Sequence, residues 1–343
     1  MELDYLNNNS NIENYDAPFL AENSGNLPLR QAIQVVTEIF SLHDDNRDDL
    51  ESQTRDLTAF IDTLLAQKTI PGHADDWHNL AVDIARNDYF DLACDILESG
   101  LDRFPNNPDL LGDYLQYGVS CGRIEKCEQA YDRLNRMPRV KYTWRSFHFS
   151  AKWLTHLYEQ NNDEEILDEL IQRLLAVTSD YRRYFPNSEE SYLCEADIHK
   201  LRKDSKKELK ALNMPLTRSL LAPKCALRLA DYHFEAGDYA KSMEMIDRSL
   251  KDANQVQQAV NEAYLYYLSG LCKISLLTVE PDSSAVESIY TDFEYSLQLK
   301  ITDSFRDSMS AKVGILRKKY PKVHLPEQCT KLKDLLGAKG ELD

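Results

Sequence analysis

Apolar residues recur at helical spacing from Pro28 almost to the end of the chain, with few stretches of strand-like alternation. Ile33, Val36 and Phe40 form a first stripe. Leu50, Leu57, Phe60, Ile61, Leu64 and Leu65 form a second, after the break at His43-Asp44-Asp45-Asn46. Pro71-Gly72 then introduces the densest pattern: Trp77, Leu80, Ala81 and Ile84, followed by Ala93, Leu97, Gly100 and a closing Pro105. This spacing predicts a helix from Asp75 towards Arg86 and a second from Tyr89 to Phe104, which Pro105 ends. Small Ala81 and Ala93 let the two helices approach, while Trp77 and Leu97 fill the groove between them.

The register continues over about 108 to 140, where Leu111, Tyr114 and Tyr131 are the large positions and Gly122 falls at the turn. A stretched unit follows, with Trp144, Phe147, Ala151, Leu154 and Tyr158 on one helix. Its partner helix carries Ile166, Leu170, Leu174 and Val177, after Asn161-Asn162-Asp163. Pro186-Asn187-Ser188 breaks it. Residues 189 to 220 show the weakest pattern, a helix near Tyr192 to Leu201 and then a charged stretch to Met214-Pro215. They read either as an irregular repeat or as an insertion. Register returns over about 223 to 256 with Leu229, Ala230, His233, Gly237-Asp238-Tyr239 and Ile246, and Ser242 and Ser249 keep close-approach positions small. Further helices are expected over 260–277, through Val286, Ile289, Phe293 and Leu297, and near 303–319 and 326–337.

The first unit, repeating over about 34 residues, resembles the tetratricopeptide repeat, with Ala81 and Ile84 in place of the usual Gly and Tyr. Cys127 stands where Ala is usual, and Leu115 and Leu134 are larger than the family pattern. The resemblance covers roughly 74 to 300, closely in three units. It implies an all-α solenoid of helix–turn–helix hairpins, each burying its apolar face only by stacking on neighbours. The expected division is a flexible acidic arm over 1–26, N-terminal capping helices over 27–70, a repeat array over 71–300, and C-terminal capping helices and tail over 301–343.

Such repeats present the first helix of each pair on a concave face that docks a protein or peptide. Carried over by register, that face holds Asp75, His78, Val82 and Arg86, then Asp109, Gln116 and Ser120, then Lys224, Leu227, Asp231 and Phe234. Leu227 and Phe234 are the expected apolar anchors. Family members that grip acidic C-terminal tails use a clamp of Lys, Asn and Arg at these positions. Here His78, Val82, Asp109 and Asp113 occupy them, so a carboxylate terminus would meet like charge.

A formal net charge of -17 repels nucleic acid and membrane surfaces and attracts a basic segment. Local basic clusters, Lys200 to Lys210 and Arg317 to Lys322, read chiefly as solvated helix faces. The seven cysteines are scattered and contain no C-x2-C pair. They read as reduced thiols on packed helix faces, in a cytoplasmic setting. No metal is expected. The His73-Ala74-Asp75-Asp76-Trp77-His78 cluster is better explained by acidic residues at a helix start. No phosphate-cradling glycine motif occurs, the first residues lack the features of a signal peptide, and no run is apolar enough to span a membrane. No cofactor or catalytic set is suggested. The leading expectation is a non-catalytic adaptor, as a subunit or regulator of a larger complex. The alternative is a regulator that senses a peptide or small ligand, and a homo-oligomer is left open.

Overall fold

The computed structural model describes residues 28–43, 50–67, 70–257, 260–277, 281–299, 301–324 and 326–338. The arm expected over 1–26 lies outside the described residues. Among the described residues the secondary structure is entirely helical, in two compact units that divide between Tyr184 and Phe185.

The first unit contains α1 (Leu29–His43), α2 (Leu50–Leu65), α3 (Ala74–Ala85), α4 (Phe90–Arg103), α5 (Pro108–Ser120), α6 (Ile124–Asn135), α7 (Trp144–Glu159) and α8 (Glu164–Tyr184). Each consecutive pair packs as a hairpin, and each first helix also packs on the next, α1 on α3, α3 on α5 and α5 on α7. Start signals are local. Asn107 accepts from the N–H groups of Asp109 and Leu110, both at 3.0 Å, and Pro108 occupies the first helical position. Thr143 and Ser146 cap α7 reciprocally at 3.3 and 2.9 Å. Trp77 is fully buried and fixes the centre of the α3–α4 pair. A Cβ at Gly100 would lie 3.1 Å from Trp77 Cβ and Cγ, so only glycine lets the indole seat without a shift.

The second unit contains α9 (Glu189–Leu201), α10 (Ser205–Thr217), α11 (Pro223–Glu235), α12 (Tyr239–Val256), α13 (Glu262–Leu276), α14 (Ser283–Gln298), α15 (Asp303–Lys319) and α16 (Thr330–Ala338). Here α9/α10, α11/α12 and α13/α14 are hairpins, while α15 and α16 pack on α14. Phe293, Ile289 and Tyr290 of α14 share one buried cluster with Met309, Val313, Leu332 and Leu336.

Three of the hairpin turns share one backbone solution. Gly122 and Gly237 both have φ of +76°, and Lys203 has φ of +55°, each two residues before its second helix. In all three the residue after the left-handed one donates back to the helix: Arg123 to Gly118 at 2.8 Å, Asp204 to His199 at 2.9 Å and Asp238 to His233 at 2.8 Å. This closes the orphan carbonyls of the first helix. Asp204 and Asp238 then accept from Lys207 and Lys241 N–H groups, at 3.1 and 3.3 Å, starting the second helix. The segment 189–220 is therefore a hairpin with the same turn as its neighbours. Lys203 where glycine is expected, and Pro215 inside α10, hid it at the sequence level.

Candidate protein-interaction face

In each unit the first helices of successive hairpins lie side by side, so residues one repeat apart meet. Their polar groups are joined to one another. Arg30 pairs with Asp76 at 3.1 Å, joining α1 to α3, and His78 Nδ1 meets a carboxylate oxygen of Asp113, joining α3 to α5. The Thr143 hydroxyl donates to Asp109 at 2.6 Å, joining α5 to the N-terminus of α7. In the second unit the Arg228 guanidinium holds Asp197 at 2.5 Å and Glu208 at 2.9 Å. Lys224 Nζ holds Glu190 at 2.5 Å, and the Tyr264 hydroxyl donates to Asp231 at 2.6 Å. Charge-assisted bonds of this kind fix the register between repeats.

Burial and hydrogen bonding pull the carboxyl groups here in opposite directions. Backbone donation from His73 holds the Asp76 carboxyl below its ordinary value, against the opposing effect of burial. Burial pushes Asp113 up, although His78 opposes it, and burial likewise raises Asp231 against its bond from Tyr264. Glu189, 6% exposed, accepts from the N–H groups of Lys224 at 3.0 Å and Cys225 at 3.3 Å with one oxygen. Its Oε1 is buried without a partner, and burial raises the carboxyl to about 7.

The expected face is thus partly occupied. His78 is turned inward onto Asp113, so the structure gives it an internal partner rather than an open position. Asp109, Lys224 and Asp231 are half-buried and bonded to neighbouring helices. Asp75, Gln116 and Ser120 are exposed, and Arg86 is exposed with only a surface pair to Asp83 at 3.2 Å. Val82 is half-buried. Leu227 and Phe234 are also half-buried, packed against the cluster of Ala230, Ile246, Leu265 and Leu268. Phe234 further meets Tyr239 edge-on, with ring centroids 5.6 Å apart. Both have internal work as well as a solvent edge. Sequence reading missed Thr143, Tyr264, Glu190 and Arg228. Their signal is a complementary polar residue about one repeat along, and the Asp109–Thr143 and Lys224–Glu190 bonds each span 34 residues.

Among the described residues no helix is long and apolar enough to cross a membrane, and no group of three or more His, Cys, Asp or Glu is placed to hold a metal ion.

No family model and no curated protein sequence matches the chain. Solved structures do. The human IFIT1 dimer with m7Gppp-AAAA aligns at 10% identity over 83% of this chain and 70% of that one, with a TM-score of 0.52. A tetratricopeptide repeat protein from Parabacteroides merdae aligns at 17% identity over 79% of this chain and 95% of its own, with a TM-score of 0.46. A thermophilic tetratricopeptide repeat protein of Thermus thermophilus aligns at 18% identity, covering 60% of this chain and all of that one, with a TM-score of 0.45. At these identities the likeness is one of fold. The class is an all-α repeat fold of tetratricopeptide-like hairpins.

Proposed function

We propose that this chain is a non-catalytic scaffold that docks a protein or peptide partner, as a subunit or regulator of a larger complex. The observation that carries this reading is the rung of polar bonds between successive first helices. It holds those helices side by side as a fixed surface, and Asp75, Val82, Arg86, Gln116 and Ser120 of the first unit stay accessible on it. A rigid surface loses little conformational entropy when an extended segment binds. In the second unit Lys224, Leu227, Asp231 and Phe234 form the corresponding candidate surface, with the solvent edges of Leu227 and Phe234 as apolar contacts. The net charge of -17 favours a partner carrying a basic segment. We assign α1 and α2 (27–70) and α15 and α16 (301–343) the role of capping the array (71–300), because the ends of a stacked repeat need polar outer faces. The cytoplasm, whose reductants return thiols to the reduced state, suits such a chain.

The test is affinity capture of the tagged full chain from its own cells, beside a triple variant Val82→Glu, Gln116→Arg, Ser120→Arg of unchanged helicity. Wild type should retain one stoichiometric protein, and the variant should lose it by at least about tenfold, the size of one strong anchor contact. Equal capture by both would remove the face from the first unit. A clean monomer or homodimer would instead favour the sensing of a small peptide or ligand.

A further inference from the structure

Cys94, in α4, has no exposed surface, while Cys121, the residue immediately after α5, is half-buried. Their Sγ atoms lie 3.5 Å apart. A disulfide needs about 2.0 Å between sulfurs, so about 1.5 Å separates this contact from a bond. The third thiol nearby, Cys127, is committed elsewhere. It is fully buried, its Sγ meets the Tyr114 carbonyl at 3.7 Å, and it fills the space beside Gly118. Cys94 and Cys127 are both fully buried, so half-buried Cys121 is the thiol of the three that an oxidant reaches.

We propose that Cys94 and Cys121 form a reversible redox pair whose oxidising substrate is a hydroperoxide. The Cys121 thiolate attacks the distal peroxide oxygen. A sulfur–oxygen bond forms as the oxygen–oxygen bond breaks, giving a sulfenic acid and releasing water or an alcohol. Cys94 sulfur then attacks Cys121 sulfur and loses its proton. The sulfur–sulfur bond forms, the sulfur–oxygen bond breaks, and water leaves. In sum the two thiols lose two electrons and two protons, and the peroxide gains them. Proximity within the folded hairpins compensates for the low acidity of Cys94. A dithiol reductant reverses the bond by exchange. The link would tie the last turn of α5, one residue from Ser120 and beside the Gly122 turn, to the middle of α4.

Native full-length protein is treated with hydrogen peroxide, blocked with N-ethylmaleimide, and read by intact mass and by non-reducing peptide mapping. The expected result is loss of two hydrogens and a Cys94–Cys121 cross-linked peptide, reversed by dithiothreitol and kept in Cys127→Ser. Cys94→Ser should instead accumulate a sulfenic acid at Cys121, trapped by dimedone. Cys121→Ser, at a half-exposed position, should show neither product, and it keeps the test decisive if Cys94→Ser folds poorly. Oxidised wild type should melt several degrees above reduced wild type, a gain that Cys121→Ser lacks. The proposal is overturned if Cys121 oxidises in wild type without linking to Cys94, if the link forms to Cys127, or if it appears only in denaturant.

Discussion

Glu189 illustrates how one side chain serves the repeat architecture. It belongs to the first turn of α9, yet one carboxylate oxygen satisfies two N–H groups at the start of α11. Its raised folded value, about 7 against an ordinary 4.5, means the folded state binds a proton that the unfolded chain releases between those limits. Stability from this group is therefore present at low pH and is lost as pH rises through 7, on the order of 1–3 kcal/mol. Glu189→Gln keeps an acceptor oxygen and removes the titration. Urea unfolding at pH 5 and pH 8 should show wild type losing more stability than the variant over that interval, and equal losses would refute this role. Serine hydroxyls do similar work without charge. Ser242 donates to the Ala230 carbonyl at 2.8 Å, Ser249 to Pro223 at 2.7 Å and Ser296 to Ala263 at 2.7 Å, each across a hairpin and fully buried. Ser242→Ala keeps the position small and deletes the donor. It should cost about 1–2 kcal/mol in denaturant unfolding, the loss of one buried hydrogen bond.

At the scale of the helical hairpin, the left-handed residue of the turn decides how cleanly one helix hands over to the next. Gly122 and Gly237 meet this demand without a Cβ, and nothing lies within 4 Å of where one would go. The cost of an alanine there is thus conformational, not steric against neighbours. Gly237→Ala should destabilise by about 1–2 kcal/mol, the left-handed penalty of an L-residue. Lys203 already carries that penalty. Lys203→Gly should therefore move the other way, stabilising by about 0.5–1 kcal/mol once the extra unfolded-state freedom of glycine is subtracted. Thermal unfolding of both variants checks the pair, and changes of the same sign would break the argument.

Over the whole molecule, charge and repetition act together. A net charge of -17 produces a long-range field that speeds encounter with a basic segment and is screened by salt. Once a partner is in hand, its association rate should fall several-fold between low and physiological salt while its dissociation rate changes little, as stopped-flow or surface kinetics would show. A salt-independent association rate would assign recognition to apolar contact alone. The division between Tyr184 and Phe185 falls directly after the long α8 and just before the Pro186-Asn187-Ser188 break.

Helix content, hairpin order and most turn positions were legible in the chain because they depend on spacing within about one repeat. Trp77, Gly100 and Gly237 have local requirements that few other residues meet. The α9–α10 hairpin was obscured because Lys203 tolerates a backbone that sequence patterns assign to glycine. The first-helix positions were named from register, but what those positions do was not legible there. Whether His78, Asp109, Lys224 and Asp231 point to solvent or to a neighbour depends on how the next hairpin stacks, a distance that spacing along one helix does not encode. The sequence by itself determined the all-α repeat class, because helical periodicity is a local property of the chain. Only tertiary structure decided which polar residues join repeats and brought Cys94 to Cys121, because each of those contacts crosses between helices that stacking alone places side by side.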